Sequence, residues 1–333
     1  GPAALGFLSS SPYTLFLLFN LAVLFVCLAA GAYISQTRLP RLPAICLQFY
    51  LAALIAAPVP LGLAASNVTF ALYYNRFGWG VMLLVSLLFL HRSDPDRWSP
   101  RFEGFFAGSA LALLLYLKIT YALVAAVIVV FLAAFRRLNR VSLLWSFCLL
   151  TIVITIVEWN YPGIHQGYFR DVLEMAYIEN DLIRRLFLAL KSNLVFILLP
   201  LVCLIIMAPL LAIRSKSHMR TVFTFYFLLL GSSLLILSTN WENISMPLML
   251  SISLIAAALF HMFIDKQDFK RPSNRIIAIL IILGLTPWIA ETVERQGALE
   301  RFFRLGTSKS YGIDVPQQMK EMLILEGTLS GLD

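Results

Sequence analysis

Arg76 lies among aromatic side chains in the stretch YYNRFGWG, residues 73–80, which leads directly into the apolar run VMLLVSLLFL. A guanidinium donates paired hydrogen bonds to phosphate or carboxylate oxygens, and a low local dielectric strengthens such contacts. Asn75 adds a neutral amide next to it. These residue types at the mouth of an apolar run predict that Arg76 binds an anionic group.

Further polar side chains follow or precede apolar runs in the same way. Arginine and lysine beside tyrosine and tryptophan suit a phosphate held at a bilayer interface, where aromatic rings lie at headgroup level. Long cationic side chains also reach ordinary lipid phosphates from helix ends, so this alternative stays open. With Asn75 and Arg76, the predicted site for a lipid-linked phosphate donor comprises Lys118, Glu158, His165, Arg170, Asn240 and Glu242.

The sequence predicts no metal site and assigns no catalytic residue. His165 has no second histidine or cysteine at the spacing of metal ligands. Glu158 and Glu242 are suited to orient a sugar hydroxyl or to bind a divalent metal ion, and a solvated helix end without a binding role is the third alternative; all three stay open. The four cysteines lie in or beside apolar runs and form no CxxC pair, which favours small buried hydrophobic roles. No cofactor is predicted with certainty.

The composition explains what positions these side chains. Of the 333 residues, 60% are hydrophobic and 13% charged, and the mean hydropathy is +0.83. A soluble domain could not bury that much apolar surface, whereas runs of about 18 apolar residues are typical of membrane-spanning helices. The sequence therefore predicts an all-α polytopic transmembrane bundle. About ten spans are predicted: 12–35, 44–65, 70–91, 104–117, 119–135, 142–158, 187–213, 220–239, 244–264 and 275–294.

Lys118 separates two of these runs in the stretch YLKITY. A single long helix would place its ammonium group at the middle of the membrane, which is costly. We therefore expect two short helices that meet at this stretch.

Alternate loops differ in charge. The loops TRLPRLPA, HRSDPDRWSPR, RRLNR, RSKSHMR and DKQDFKRPSNR carry 15 of the 26 lysines and arginines. The positive-inside rule assigns them to the cytoplasm, so the net charge of +8 does not indicate a nucleic-acid partner. Arg76 and the other candidate residues then lie on the outer face, where Arg76 runs against the rule.

The same pattern predicts the overall layout. Residues 1–294 form the transmembrane domain and residues 295–333 a small extracytoplasmic C-terminal segment. Mixed acidic and apolar residues in 159–186 predict an amphipathic helix at the outer membrane surface. A chain that begins outside without a basic leader favours an earlier helix and loop that precede Gly1.

Several stretches together resemble bacterial integral-membrane glycosyltransferases of the C-type fold, the superfamily of protein O-mannosyltransferases and lipid A aminoarabinose transferases. They are GPAALGFL, YYNRFGWGVMLL, LYLKITYALVA, HQGYFRDVLEMA and STNWENISMPLM. The resemblance implies an enzyme of the bacterial inner membrane that transfers a sugar from a polyprenyl-phosphate donor to a lipid, glycan or protein acceptor at the outer face. It also implies a catalytic carboxylate in a first outer loop, which this sequence does not contain.

Three other functions stay open. A flippase or transporter of lipid-linked sugars would need polar residues deep in its spans, and these spans are poor in them. An O-antigen polymerase or ligase is the second alternative, because such enzymes also have an arginine at the outer face and a large outer loop. A membrane subunit without chemistry is the third alternative.

Overall fold

The computed structural model describes residues 12–57, 70–90, 99–170, 182–214, 216–239, 245–263 and 272–307. These residues are helical apart from short connections, and no strand occurs among them. The all-α prediction is therefore confirmed for the part of the chain that the structure describes.

Twelve α-helices occur within these ranges, and a 3-10 turn, Leu87–Phe89, extends the third. They are α1 (Pro12–Arg38), α2 (Arg41–Ala56), α3 (Phe70–Ser86), α4 (Ser99–Leu117), α5 (Ile119–Ala134), α6 (Arg140–Asn160), α7 (residues 164–170), α8 (Leu182–Ser192), α9 (Leu194–Arg214), α10 (Lys216–Thr239), α11 (Pro247–Phe263) and α12 (Pro272–Thr307).

Four of the described helices are long and apolar enough to cross a membrane: Leu18–Arg38, Arg140–Asn160, Lys216–Thr239 and Asn274–Ala298. The bent pair Ile183–Ser192 and Leu194–Pro209 makes a fifth if it counts as one span. Shorter apolar helices of 10–17 residues are Arg41–Ala56, Tyr74–Phe89, Ile119–Ala134 and Pro247–Met262. The chain is thus a membrane-embedded helical protein. Four or five of the described helices have the length and composition of a span, and the prediction of about ten spans is not confirmed.

Helices α3 and α11 lie at the centre of the bundle. Nearly every described side chain from Asn75 to Leu90 and from Ser245 to Phe260 is buried. In contrast, α6 exposes large apolar side chains such as Phe147 and Ile156. A contiguous apolar surface on the periphery of the helix bundle is suited to contact with lipid.

Two glycines bring α4 and α6 into close contact. A Cβ atom at Gly104 would lie 2.3 Å from the carbonyl oxygen of Ser142, and one at Gly108 would lie 2.7 Å from that of Ser146. Ser146 Oγ donates a hydrogen bond to the Gly104 carbonyl at 2.9 Å. Small residues four apart allow backbones to approach in this way in membrane helices.

Arg38 joins three helix ends. Its guanidinium contacts the carboxylate of Glu103 at the start of α4, and it donates to the carbonyls of Leu88, at 3.3 Å, and Leu90. A cation at the last carbonyls of a helix satisfies acceptors that have no partner within the helix. The end of α1, the end of α3 and the start of α4 therefore meet.

Arg137, just beyond the end of α5, brings the end of α5 and the start of α10 to the same side of the bundle. Its guanidinium lies 4.6 Å from the centroid of the Phe89 ring, and its Nη2 lies 3.4 Å from Nε2 of His218 at the start of α10. We call this side of the bundle the basic end. Helices α3, α4, α5 and α6 alternate in direction between it and the opposite end, as the loop charges predict.

The structure confirms that two helices meet at Lys118. This residue has an extended backbone, with φ −167° and ψ 128°, between α4 and α5. Its amide still donates to the Leu114 carbonyl at 2.9 Å, and its carbonyl accepts from the Tyr121 amide at 3.1 Å. The break therefore costs few backbone hydrogen bonds.

Two predicted boundaries differ from the structure. The predicted span 187–213 is broken at Asn193, because α8 and α9 meet there at an angle of 66°. The buried Asn193 amide donates to the Ala189 carbonyl at 2.9 Å and holds this corner. Helix α12 continues from Pro272 to Thr307, so the expected boundary at residue 294 falls inside a helix.

Candidate functional site

The junction between α4 and α5, residues 116–121, contacts the start of α3 on one side. Tyr121 Oη donates to Asn75 Oδ1 at 3.3 Å, and the Tyr121 ring packs edge-on against Trp79 with centroids 5.7 Å apart. Gly78 leaves room for this ring, since a Cβ there would come within 2.9 Å of it. Lys118 Nζ lies 5.9 Å from the centroid of the Tyr74 ring.

Arg76 follows Asn75 and is only 4% exposed. Its side chain therefore lies inside the protein and does not spread into surrounding lipid. A buried guanidinium is expensive unless it is paired or binds an anion. Arg76 has at least one interaction partner in the protein, so it is not an isolated charge.

On its other side the α4–α5 junction contacts α6 and α7. Tyr116 Oη lies 2.9 Å from His165 Nε2, and His165 Nδ1 contacts the Glu158 carboxylate. The Ile119 amide donates to Tyr168 Oη at 2.9 Å. Burial raises the pKa of the Tyr168 phenol, and the hydrogen bond from Ile119 opposes that shift. This phenol therefore stays protonated and joins α7 to the junction.

We call the resulting set the junction site; it comprises Asn75, Arg76, Tyr116, Lys118, Glu158 and His165. Five of its members are predicted from the sequence. Lys118 lies on the junction, Asn75 contacts it on one side, and the Glu158–His165 pair contacts it on the other. Arg76 follows Asn75 in α3. Tyr116 is the addition. It could have been noticed from its position two residues before Lys118, but its partner His165 lies 49 residues away in the chain.

Of the three other predicted site residues, the structure describes Arg170. Arg170 is exposed at the last described position of α7, two residues after Tyr168. Asn240 and Glu242 lie outside the described residues. Among the residues that the structure describes, no three histidine, cysteine, aspartate or glutamate side chains come close enough together to hold a metal ion.

A second polar cluster, which sequence reasoning missed, lies inside the bundle. Arg295 donates from Nε and Nη2 to Glu291 Oε1 at 2.9 and 2.7 Å, and Tyr50 Oη donates to both carboxylate oxygens at 3.3 and 3.2 Å. Arg295 Nη2 also donates to Ser245 Oγ at 3.3 Å. The cluster joins α2, α12 and the approach to α11. Only the i,i+4 spacing of the two charged residues on α12 hints at it.

Comparison of the chain with protein families, with characterised proteins and with solved structures gives no match. The function is therefore inferred from the geometry of the junction site.

Proposed function

We propose that the protein is a membrane glycosyltransferase. It moves a sugar from a polyprenyl-phosphate donor to a lipid, glycan or protein acceptor at the outer face of the bacterial inner membrane. The observation that carries this proposal is the meeting of two kinds of chemistry at one junction. Arg76, which is buried, and Lys118, which is half-buried, supply positive charge, and the Glu158–His165 pair supplies hydrogen-bond acceptors suited to hydroxyl groups.

The cations act on the leaving group in this proposal. When the sugar moves to the acceptor, the bond from its anomeric carbon to the phosphate oxygen breaks and negative charge collects on the phosphate. Fixed donors aimed at a developing charge lower the barrier because they need no reorganisation. Arg76 offers a planar pair of donors, and Lys118 offers a mobile point charge on the α4–α5 junction.

The proposed topology follows from the loop charges. The basic end faces the cytoplasm, and the junction site faces the outside. Ten spans result if α1 to α6, α9, α10, α11 and α12 each cross the membrane. Helix α8 then lies at the outer interface, since it exposes Ile183 and Phe187 and carries Lys191 in its last turn.

Cysteine labelling tests this topology. We expect a membrane-impermeant maleimide to label Tyr161→Cys, an exposed position beyond α6, in intact cells, and to label Ser217→Cys only after cell lysis. The unmodified protein is the background control. Labelling of Ser217→Cys but not Tyr161→Cys in intact cells would reverse the orientation.

Turnover of a defined donor tests the activity. The purified protein in lipid nanodiscs is incubated with undecaprenyl-phosphate mannose or undecaprenyl-phosphate aminoarabinose in the presence of membrane lipids, and released undecaprenyl phosphate is measured. We expect release from at least one donor and its loss in Arg76→Ala. Transport of intact donor across the bilayer without release would support the flippase alternative instead.

A further inference from the structure

Glu158, His165 and Tyr116 form an uninterrupted chain of hydrogen bonds at the carboxyl end of α6. Glu158 Oε1 accepts from the Gly163 amide at 2.6 Å, and its Oε2 contacts His165 Nδ1. His165 Nε2 then meets Tyr116 Oη at 2.9 Å. Gly163 has φ +80°, a left-handed conformation that turns the chain back and that glycine adopts at little cost.

The direction of the protons in this chain follows from the chemistry of its members. A carboxylate only accepts hydrogen bonds, so Nδ1 of His165 carries the hydrogen. The other nitrogen of a neutral imidazole then holds a lone pair. Nε2 is therefore the acceptor, and the Tyr116 hydroxyl donates to it. The loop places a basic nitrogen opposite a hydroxyl group.

The chain is also open to a substrate. The side chain of Glu158 is 44% exposed and that of His165 18%, and Tyr116 is 42% exposed as a residue. An acceptor hydroxyl can therefore reach Nε2 if the Tyr116 hydroxyl moves aside. Lys118, two residues after Tyr116, places a cation on the same junction for the leaving phosphate.

We propose that His165, oriented by Glu158, is the base that removes the proton from the acceptor hydroxyl. This inference rests on the proposed glycosyl transfer. The acceptor oxygen forms its bond to the anomeric carbon while its proton passes to Nε2. The bond between that carbon and the phosphate oxygen breaks, and its electron pair leaves with the phosphate. The imidazolium that forms is balanced by the Glu158 carboxylate, and Glu158 acts as a positioning residue.

Nitrogen NMR tests the proton arrangement without reference to activity. The chain has four histidines, so protein labelled with 15N-histidine in nanodiscs gives few signals, and His165→Gln identifies that of His165. Under mildly alkaline conditions we expect His165 to carry its hydrogen on Nδ1 and to have an unprotonated Nε2. Glu158→Gln should move hydrogen towards Nε2, because an amide can donate to Nδ1. A wild-type histidine protonated on Nε2 would overturn the inference.

Donor turnover tests the catalytic role. We expect His165→Gln to lower undecaprenyl phosphate release by about a hundredfold to ten-thousandfold, the usual contribution of a general base. Its binding of free undecaprenyl phosphate should stay at the wild-type level, and added imidazole should partly restore turnover by His165→Gly. His261→Gln, in the last turn of α11, is the matched control and should behave as wild type.

The outcomes separate this inference from the proposed function. Wild-type turnover that is unchanged in His165→Gln would overturn the base while leaving the glycosyltransferase proposal intact. A wild-type protein that neither binds undecaprenyl phosphate nor consumes either donor would overturn the proposed function, and the acceptor-base role with it.

Discussion

Two carboxylates in this molecule are each paired with a nitrogen-containing side chain, and the two pairs have opposite surroundings. We call Glu291–Arg295 the buried pair; its two side chains are 1% and 7% exposed, and Tyr50 and Ser245 supply further hydrogen bonds. We call Glu158–His165 the surface pair; it is partly exposed, and its partners among the described residues include the Gly163 amide and the exposed Tyr116. One pair is surrounded by partners, whereas the other leaves a basic nitrogen within reach of a substrate.

This difference shows that the surroundings of a paired carboxylate decide how much the pair contributes to stability. Removing one member of a buried pair leaves an uncompensated charge in a low dielectric, so such a pair controls whether the helices stay together. Removing one member of an exposed pair changes stability little, because water solvates what is left. We therefore assign the buried pair to the architecture and the surface pair to chemistry.

The largest effect is expected from breaking the buried pair. Glu291→Gln should lower the free energy of unfolding by about 3–5 kcal/mol, because Arg295 would keep its charge without its main partner. Unfolding in mixed micelles by increasing fractions of sodium dodecyl sulfate measures this change. The double variant Glu291→Leu/Arg295→Met should be more stable than Glu291→Gln. A single variant as stable as the wild type would remove the architectural role.

A smaller effect is expected from the contact between α4 and α6, which holds Tyr116 near the surface pair. Gly104→Ala places a methyl group 2.3 Å from the Ser142 carbonyl oxygen, and such overpacking costs about 1–3 kcal/mol. The His165 nitrogen signals should also shift, since Tyr116 lies on the same helix.

Gly231→Ala is the matched control for this change. Apart from the local backbone of α10, no described atom lies within 4 Å of a Cβ at that position, so alanine should be neutral or stabilising by up to about 1 kcal/mol. Equal destabilisation by both substitutions would mean that the α4–α6 contact is not a special constraint.

The smallest change in stability is expected from the surface pair. Glu158→Gln and His165→Gln should each leave the midpoint of the same micelle titration close to that of the wild type, because both side chains are partly exposed. Their effect should appear in donor turnover instead. A loss as large as that of Glu291→Gln would place both pairs in the same structural role.

Sequence reasoning was most successful where one residue determines a local event. Lys118 breaks an apolar run, and the structure ends α4 and begins α5 on either side of it. The apolar runs likewise give the helices, since a backbone surrounded by lipid must satisfy its own hydrogen bonds. The corner at Asn193 was missed because the apolar residues before Lys191 and after Asn193 were joined into one predicted span, and the hydrogen bond that holds the corner involves a single amide.

Long-range pairs were beyond sequence reasoning. Tyr50 and Glu291 are 241 residues apart, and Arg38 and Glu103 are 65 apart, so nothing local marks them as partners. The predicted end of the transmembrane domain at residue 294 placed Arg295 at the start of a polar outer tail. The structure places it in the interior of α12 instead. At the junction site the residue types were predictable, whereas the contact of Tyr116 with His165 depends on how α4 and α6 pack.

The central claim is that the buried Arg76 binds the phosphate of a polyprenyl lipid, and its affinity for undecaprenyl phosphate tests this most directly. Equilibrium binding is measured in nanodiscs for the wild type, Arg76→Lys and the exposed control Arg220→Lys at the basic end. We expect Arg76→Lys to bind at least about tenfold more weakly, since it loses a charge-assisted hydrogen bond of about 1.5–3 kcal/mol while keeping its charge. The control should match the wild type. Equal affinity in all three proteins would contradict the account.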